Sequence, residues 1–319
     1  MSLSSLRSKV LGFWAVRLVL VLLALWLSIL MRDIVVGILA GVLRLGANQP
    51  PLWLGRPCTP ETMTVVGSVF GIAGFLITVG LGYGVYAWYV RRIERREPTE
   101  IALKGAAAPF GIGTIMGIGI VLSAVAVIGL AGGVSIVPSG QWRFAVTALA
   151  GGATAAFMEE LVLRGIVLRI LEHWMGTWMA LATSAALFGV IHLTNDGATW
   201  TSTLTIALTG GLILGLAYIL TRNVWLAVGM HFGVNAAQGG LLGLPVSGQE
   251  TPGVFATEVS GPNFLTGGAF GVESSVTVLA VGLVLAFVLL GRVRRHGQIV
   301  PPPWRRGVVP TAKPSAEGP

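Results

Sequence analysis

The sequence predicts an all-α fold, a polytopic membrane bundle of about eight transmembrane helices, and three observations carry that prediction. Hydrophobic residues make up 54% of the 319 residues and charged residues 11%, with a mean hydropathy of +0.81; a water-soluble domain carries about 25% charged residues. The apolar residues come in runs of the length that a bilayer requires, about 20 residues for a helix. The basic residues cluster where those runs stop, in Arg91-Arg92-Ile93-Glu94-Arg95-Arg96 and in Arg292-Val293-Arg294-Arg295.

A short basic start, with Arg7 and Lys9, leads into an apolar run over residues 10–31 that only Arg17 interrupts. The run is longer than a signal-peptide core and no small-x-small cleavage site follows, so it is expected as a retained first span. Residues 34–45 are apolar but too few to span, and are expected to lie at the interface or to re-enter. Residues 48–62, with Pro50, Pro51, Pro57 and Pro60, are expected as a loop, because proline removes backbone donors. Residues 63–90 form the second expected span and 109–132 the third. A long fourth helix is expected over 141–172, a fifth over 178–193, a sixth over 204–221 and a seventh over 224–242. Residues 243–275, rich in Gly, Pro and Ser, are expected as a loop, 276–291 as the eighth span and 292–319 as a disordered basic tail with Pro301-Pro302-Pro303.

The spacings Gly67-x-x-x-Gly71, Gly113-x-x-x-Gly117 and Gly211-x-x-x-Gly215 are those that let helix backbones approach closely. No internal repeat is visible. The organisation is therefore read as an N-terminal helix with its short apolar segment and loop (1–62), two further helices (63–142), a set of motif-bearing helices (143–243), a loop with the last helix (244–291) and the tail (292–319). Counting Lys and Arg at the segment ends puts both termini in the cytoplasm, in the cell (inner) membrane, with Arg32, Arg44 and Arg56 dissenting.

The net charge of +8 and pI near 10.5 raise the question of nucleic acid. The basic residues sit at helix ends, where anionic lipid headgroups are their partners, and nucleic-acid binding is set aside. One cysteine, Cys58, excludes an internal disulfide and a CxxC zinc or redox site. The Gly111-Ile-Gly113 start is no nucleotide loop, since neither a strand before it nor a P-loop lysine after it is present.

The chemistry concentrates in Phe157-Met-Glu-Glu-Leu-Val-Leu-Arg164, two adjacent carboxylates and an arginine inside an apolar stretch of a chain with 13 acidic residues. At 100° per residue Glu160 and Arg164 share a helical face, whereas Glu159 points about 140° away from Arg164. Arg164 can thus hold Glu160 ionised and leave Glu159 free as a general base. Downstream, Phe188 and His192 stand four residues apart, as do His231 and Asn235; the chain has 4 histidines in all. With a helix reversal centred on Met175 and Gly176, Glu159 and His192 lie at one depth, each about 24 Å from the turn. That depth falls towards the face opposite Arg222.

The set E-E-x-x-x-R, F-x-x-x-H and H-x-x-x-N resembles the CPBP family, the intramembrane CAAX proteases and bacteriocin-processing enzymes that include the CAAX prenyl endopeptidase. The motifs stand in the family's order without substitution, and the resemblance covers about residues 143–243, a third of the chain. It implies an intramembrane endopeptidase whose catalytic set is Glu159, Glu160, Arg164, His192, His231 and Asn235. It further implies a peptide or membrane-protein substrate and a lipid-bilayer setting.

Read as chemistry, peptide hydrolysis needs a base, a group to orient water and donors for the oxyanion. Glu159 is the expected base, His192 its partner on the water, and His231 with Asn235 the donors, with Glu160 and Arg164 as a structural clamp. No cofactor is required by this set. Glu159, His192 and His231 also have the composition of a zinc site with an open fourth position, so the metal question stays open at this point. A catalytically silent scaffold of the same fold and a proton-coupled transporter are the competing functions. Substrate identity, the side from which substrate arrives and the oligomeric state are not legible.

Overall fold

The computed structural model describes residues 14–42, 65–139 and 142–305. The expected basic start, the Pro-rich loop with Cys58 and the end of the tail lie outside the described residues. Helix α1 is a single run, Trp14–Val42. The separate interfacial segment expected from residue 34 is therefore corrected: Asp33 and its neighbours contain no proline or glycine break before Gly37, and the helix continues through them.

Helix α2, Val65–Tyr89, ends in a widened turn, Val90–Glu94, and the chain leaves it through Arg95 in the left-handed region. Helix α3 is Ala107–Leu130. Helix α4, Trp142–Glu160, runs through a long widened stretch, Leu161–Leu168, into α5, Arg169–Ile191, which reverses at Gly176 (φ 79°, ψ 168°). That conformation is open to glycine and strained for other residues, and it lies where the sequence places the reversal. Helix α6, Trp200–Ile206, opens with a capping box between Thr199 and Ser202 and passes through the wide turn Ala207–Gly211 into α7, Leu212–Thr221. Helix α8, Trp225–Asn235, widens over Ala236–Leu241. After a loop come the short α9, Asn263–Thr266, and α10, Val276–Arg295, capped by Ser275 and ending in Arg292, Arg294 and Arg295, which complement its dipole.

Two strands depart from the all-helical expectation. β1, Val134–Pro138, pairs antiparallel with β2, Phe255–Val259, with Val134 opposite Val259 and Pro138 opposite Phe255. They tie the end of α3 to the long loop that precedes α10.

Among the described residues, five stretches are long and apolar enough to cross a membrane: Gly71–Glu94, Ala107–Leu130, Ala145–Thr194, Trp200–Thr221 and Val276–Arg295. The third is folded back on itself at Gly176. Large apolar side chains face outward, with Ile115 73%, Val284 67% and Phe287 79% exposed. In water such surface would be costly; against lipid it is the expected outer layer of a helical bundle.

The charged helix ends gather at one end of the bundle. Arg169 reaches Glu94 (2.7 Å), Arg96 donates to Glu100 (2.8 Å), and Tyr86 bonds both Glu100 and the Gly165 carbonyl. Arg222 pairs with Glu172 and binds the Gln298 side chain (3.0 Å). The chain after α10 is strapped beneath the reversal, where Thr177 N–H donates to the Val300 carbonyl (2.9 Å). Residues 292–305, expected as part of a structureless tail, are thus ordered, because they complete hydrogen bonds left open at the reversal.

Candidate active site

Glu159 and Glu160 occupy the last two positions of α4. The next turn is widened, so that the Arg169 N–H bonds the Arg164 carbonyl five residues back. Widened turns of this kind recur at functional sites in helices. Arg164 is fully buried, donates to Glu160 Oε1 at 2.8 Å and reaches the carbonyls of Gly210 (2.8 Å) and Gly211 (3.0 Å) in the wide turn before α7. Its guanidinium also lies 4.7 Å above the Phe188 ring. The i,i+4 pair expected from the sequence is present, and Arg164 in addition clamps α4 to α7.

His192 stands where α5 gives way to a tighter turn, His192–Thr194. Its Nδ1 is 2.6 Å from the Phe188 carbonyl, an acceptor, so Nδ1 carries the hydrogen and Nε2 of the neutral ring is a bare lone pair. His231, on α8, bonds through Nδ1 to Glu160 Oε1 at 3.0 Å. Glu160 therefore orients an imidazole as well as pairing with Arg164. The Nε2 atoms of His192 and His231 converge on Glu159 Oε2, at 3.9 and 4.0 Å. That oxygen is buried and has no hydrogen-bond partner in the protein.

Asn235 donates one amide hydrogen to the Gly152 carbonyl at 3.2 Å. The carbonyl belongs to α4, which comes close enough because Gly152 has no side chain: a Cβ there would lie 2.9 Å from Asn235 Cβ. The second amide hydrogen remains available to the cavity that Asn235 lines together with His192, His231 and Phe188. The remaining walls are mostly aliphatic, and the cavity together with the open space at its mouth takes in about 600 Å³. Glu159 does not line it and reaches the imidazoles from the α4 side.

The six residues singled out in the sequence thus form one cluster. Two residues were missed, Ser247 and Glu273. Both come from the long loop before α10, and both line the cavity. Glu273 Oε1 accepts hydrogen bonds from the Ser247 N–H (2.7 Å) and hydroxyl (2.6 Å), while Asn195 holds the Ser247 carbonyl (3.0 Å). Burial pushes the Glu273 carboxyl above the usual carboxylate range, against the Ser247 hydrogen bonds and the nearby imidazoles of His192 and His231. No helical periodicity marks this loop, and Glu273 is one of its three glutamates, with Glu250 and Glu258.

Among the described residues, no three His, Cys, Asp or Glu side chains are grouped as a metal site. Ligands around tetrahedral zinc stand about 3.3 Å apart, whereas Glu159 is 3.9 and 4.0 Å from the two imidazoles. One water about 2.8 Å from each group fits those separations.

Residues 140–237 match the family model described as type II CAAX prenyl endopeptidase, Rce1-like. The matched segment contains all three motifs, from Glu159 to Asn235. No curated protein and no solved structure matches the chain. Over residues 140–237, about a third of the chain, the sequence is thus similar to the CPBP/CAAX proteases.

Proposed function

We propose that this protein hydrolyses a peptide bond in a membrane-embedded or membrane-adjacent peptide with Glu159 as the general base. One observation carries the reading: two imidazole Nε2 atoms and one unpartnered, buried carboxylate oxygen converge on a single point. A water at that point donates one hydrogen to Glu159 and the other to His192 Nε2. Glu159 removes a proton as the water oxygen attacks the carbonyl carbon. The oxyanion forms facing His231 and the free amide hydrogen of Asn235. To donate from Nε2, His231 carries hydrogen on both nitrogens, a form that pairs with the Glu160 carboxylate at Nδ1. Glu159 then passes its proton to the leaving amine as the C–N bond breaks.

Glu160 and Arg164 touch no reacting atom; they hold His231 and the α4–α7 contact in place. Zinc, were it bound, would take Glu159, His192 and His231 and polarise the carbonyl, and the spacing noted above favours the water instead. The substrate is a peptide or membrane protein, and the positive-inside pattern puts the termini in the cytoplasm.

The test is cleavage of a fluorogenic membrane-tethered peptide by wild type and Glu159→Gln, each with and without prior dialysis against chelator. Loss of at least about 100-fold in kcat for Glu159→Gln, with an unchanged melting profile and no chelator effect, is expected. Full activity in Glu159→Gln overturns the base assignment. Activity abolished by the chelator and restored by zinc reassigns Glu159 as a ligand.

A further inference from the structure

Four glutamates are buried among the described residues: Glu100, Glu160, Glu172 and Glu273. Three have a cation in contact. Glu100 has Arg96 and Arg169, Glu160 has Arg164, and Glu172 has Arg222. Glu273 has only the hydroxyl and N–H of Ser247, and both fall on Oε1. Its other oxygen is left to the cavity that Glu273 lines. His192 and His231 line the same cavity but are in no ion-pair contact with Glu273; a buried carboxylate without a contacting cation is costly to keep, and a protein that retains one generally has a partner for it.

The lining of the cavity says what that partner is. His192, His231 and Asn235, where the reaction is placed, line it together with Ile206, Ile213 and Val278, and Glu273 is the carboxylate among its lining residues. A cavity lined largely by aliphatic side chains, with one carboxylate that is in no ion-pair contact, fits a side chain with a long apolar stem and a cationic tip. An aliphatic side chain of the same length would leave Glu273 unpaired, and an acidic one would meet it with like charge. The loop that carries Glu273 is pinned for this task, by Asn195 on the Ser247 carbonyl and by the Gly248 N–H on the Phe270 carbonyl (2.8 Å).

Resting on the proteolytic reading above, we propose that the cavity is the subsite for a residue flanking the scissile bond and that Glu273 selects lysine or arginine there. Glu273 is then a specificity-determining residue.

The experiment uses the full-length protein in lipid nanodiscs and pairs of membrane-tethered peptides that differ only in lysine against norleucine beside the cleaved bond. Wild type is expected to favour lysine at least about tenfold in kcat/KM, and Glu273→Gln to bring that ratio close to one. Gln keeps the acceptor for Ser247, so the variant is expected to fold, with a melting temperature no lower than that of wild type. A second readout is independent of turnover. Short soluble peptides with central lysine or norleucine are added to the Glu159→Gln protein and to Glu159→Gln/Glu273→Gln. The lysine peptide is expected to raise the melting temperature of the first and not of the second. A wild-type preference for norleucine, a lysine preference that survives Glu273→Gln, or equal thermal shifts from both peptides overturns the proposal. If wild type cleaves nothing while the lysine-specific shift depends on Glu273, the subsite stands and the proteolytic reading falls.

Discussion

Arg164 and Glu160 form a fully buried ion pair inside a membrane bundle, and their burial makes the pair fragile to half-removal. Taking away the arginine strands a carboxylate in a place that water cannot reach, which costs about 3–5 kcal/mol, whereas removing both charges together can be nearly neutral. Arg164→Met is therefore expected to lower the melting temperature markedly and to free the His231 ring from its fixed orientation. The double variant Arg164→Met/Glu160→Gln is expected to recover most of the loss. A single variant that melts like wild type would show that Glu160 is uncharged. At this scale much was legible: the spacing of Glu160 and Arg164 follows from the 3.6-residue turn, and so does the divergence of Glu159 from them. The carbonyls of Gly210 and Gly211 were not legible, because they come from a distant helix and are identified by backbone position, not by residue type.

Helices α3 and α8 meet backbone to backbone. A Cβ on Gly113 would lie 2.3 Å from the Leu226 carbonyl oxygen, and one on Gly117 2.1 Å from that of Met230. Gly229 and Gly233 return the same contact against Phe110 and Thr114. Close approach of small residues is how helices bind one another in lipid, where the hydrophobic effect between them is absent. Gly117→Ala should push α8 away and cost about 1–3 kcal/mol by overpacking. Because α8 carries His231 and Asn235, turnover should fall with it. Gly119→Ala, two residues on, faces open space and should stay within about 0.5 kcal/mol of wild type. Equal effects of the two alanines on melting and turnover would argue that the α3–α8 seam is plastic. The Gly113 and Gly117 half of the seam was readable as a spacing; its partner glycines on α8 became meaningful only once the two helices were seen together.

Among the described residues the charges are segregated, with the arginine-rich helix ends and their carboxylates forming one network and Glu159, Glu160, Arg164 and the two imidazoles another. This segregation makes stability depend on pH through Glu100, which lies between spans. Burial pushes its carboxyl up, but the hydrogen bond from Arg96, the charge of Arg169 and the hydrogen bond from Tyr86 outweigh burial, and the group lies below the usual carboxylate range. A carboxyl depressed in the folded state contributes stability that is fully present above its unfolded value, about 4.3, and is lost as pH falls through the folded value. Melting should therefore be insensitive to Glu100 from pH 7 to about 5 and fall below about 4. Glu100→Gln should melt lower than wild type at pH 7, with the difference narrowing as pH is lowered below 4; a constant difference at all pH values would contradict the linkage.

Legible in the sequence were the membrane-bundle class, the reversal at Gly176, and the six residues Glu159, Glu160, Arg164, His192, His231 and Asn235 that the structure groups. These are one-dimensional properties: apolar run length, helical period, and counting residues from a turn. The tertiary structure alone decided that α1 continues through the segment expected at the interface. It also decided that β1 pairs with β2, that Gln298 and Val300 close the reversal, and that Glu160 serves His231. Above all it placed Ser247 and Glu273 beside the imidazoles. These features depend on contacts between distant parts of the chain, many of them in loops, and a loop has no period from which the direction of its side chains can be read.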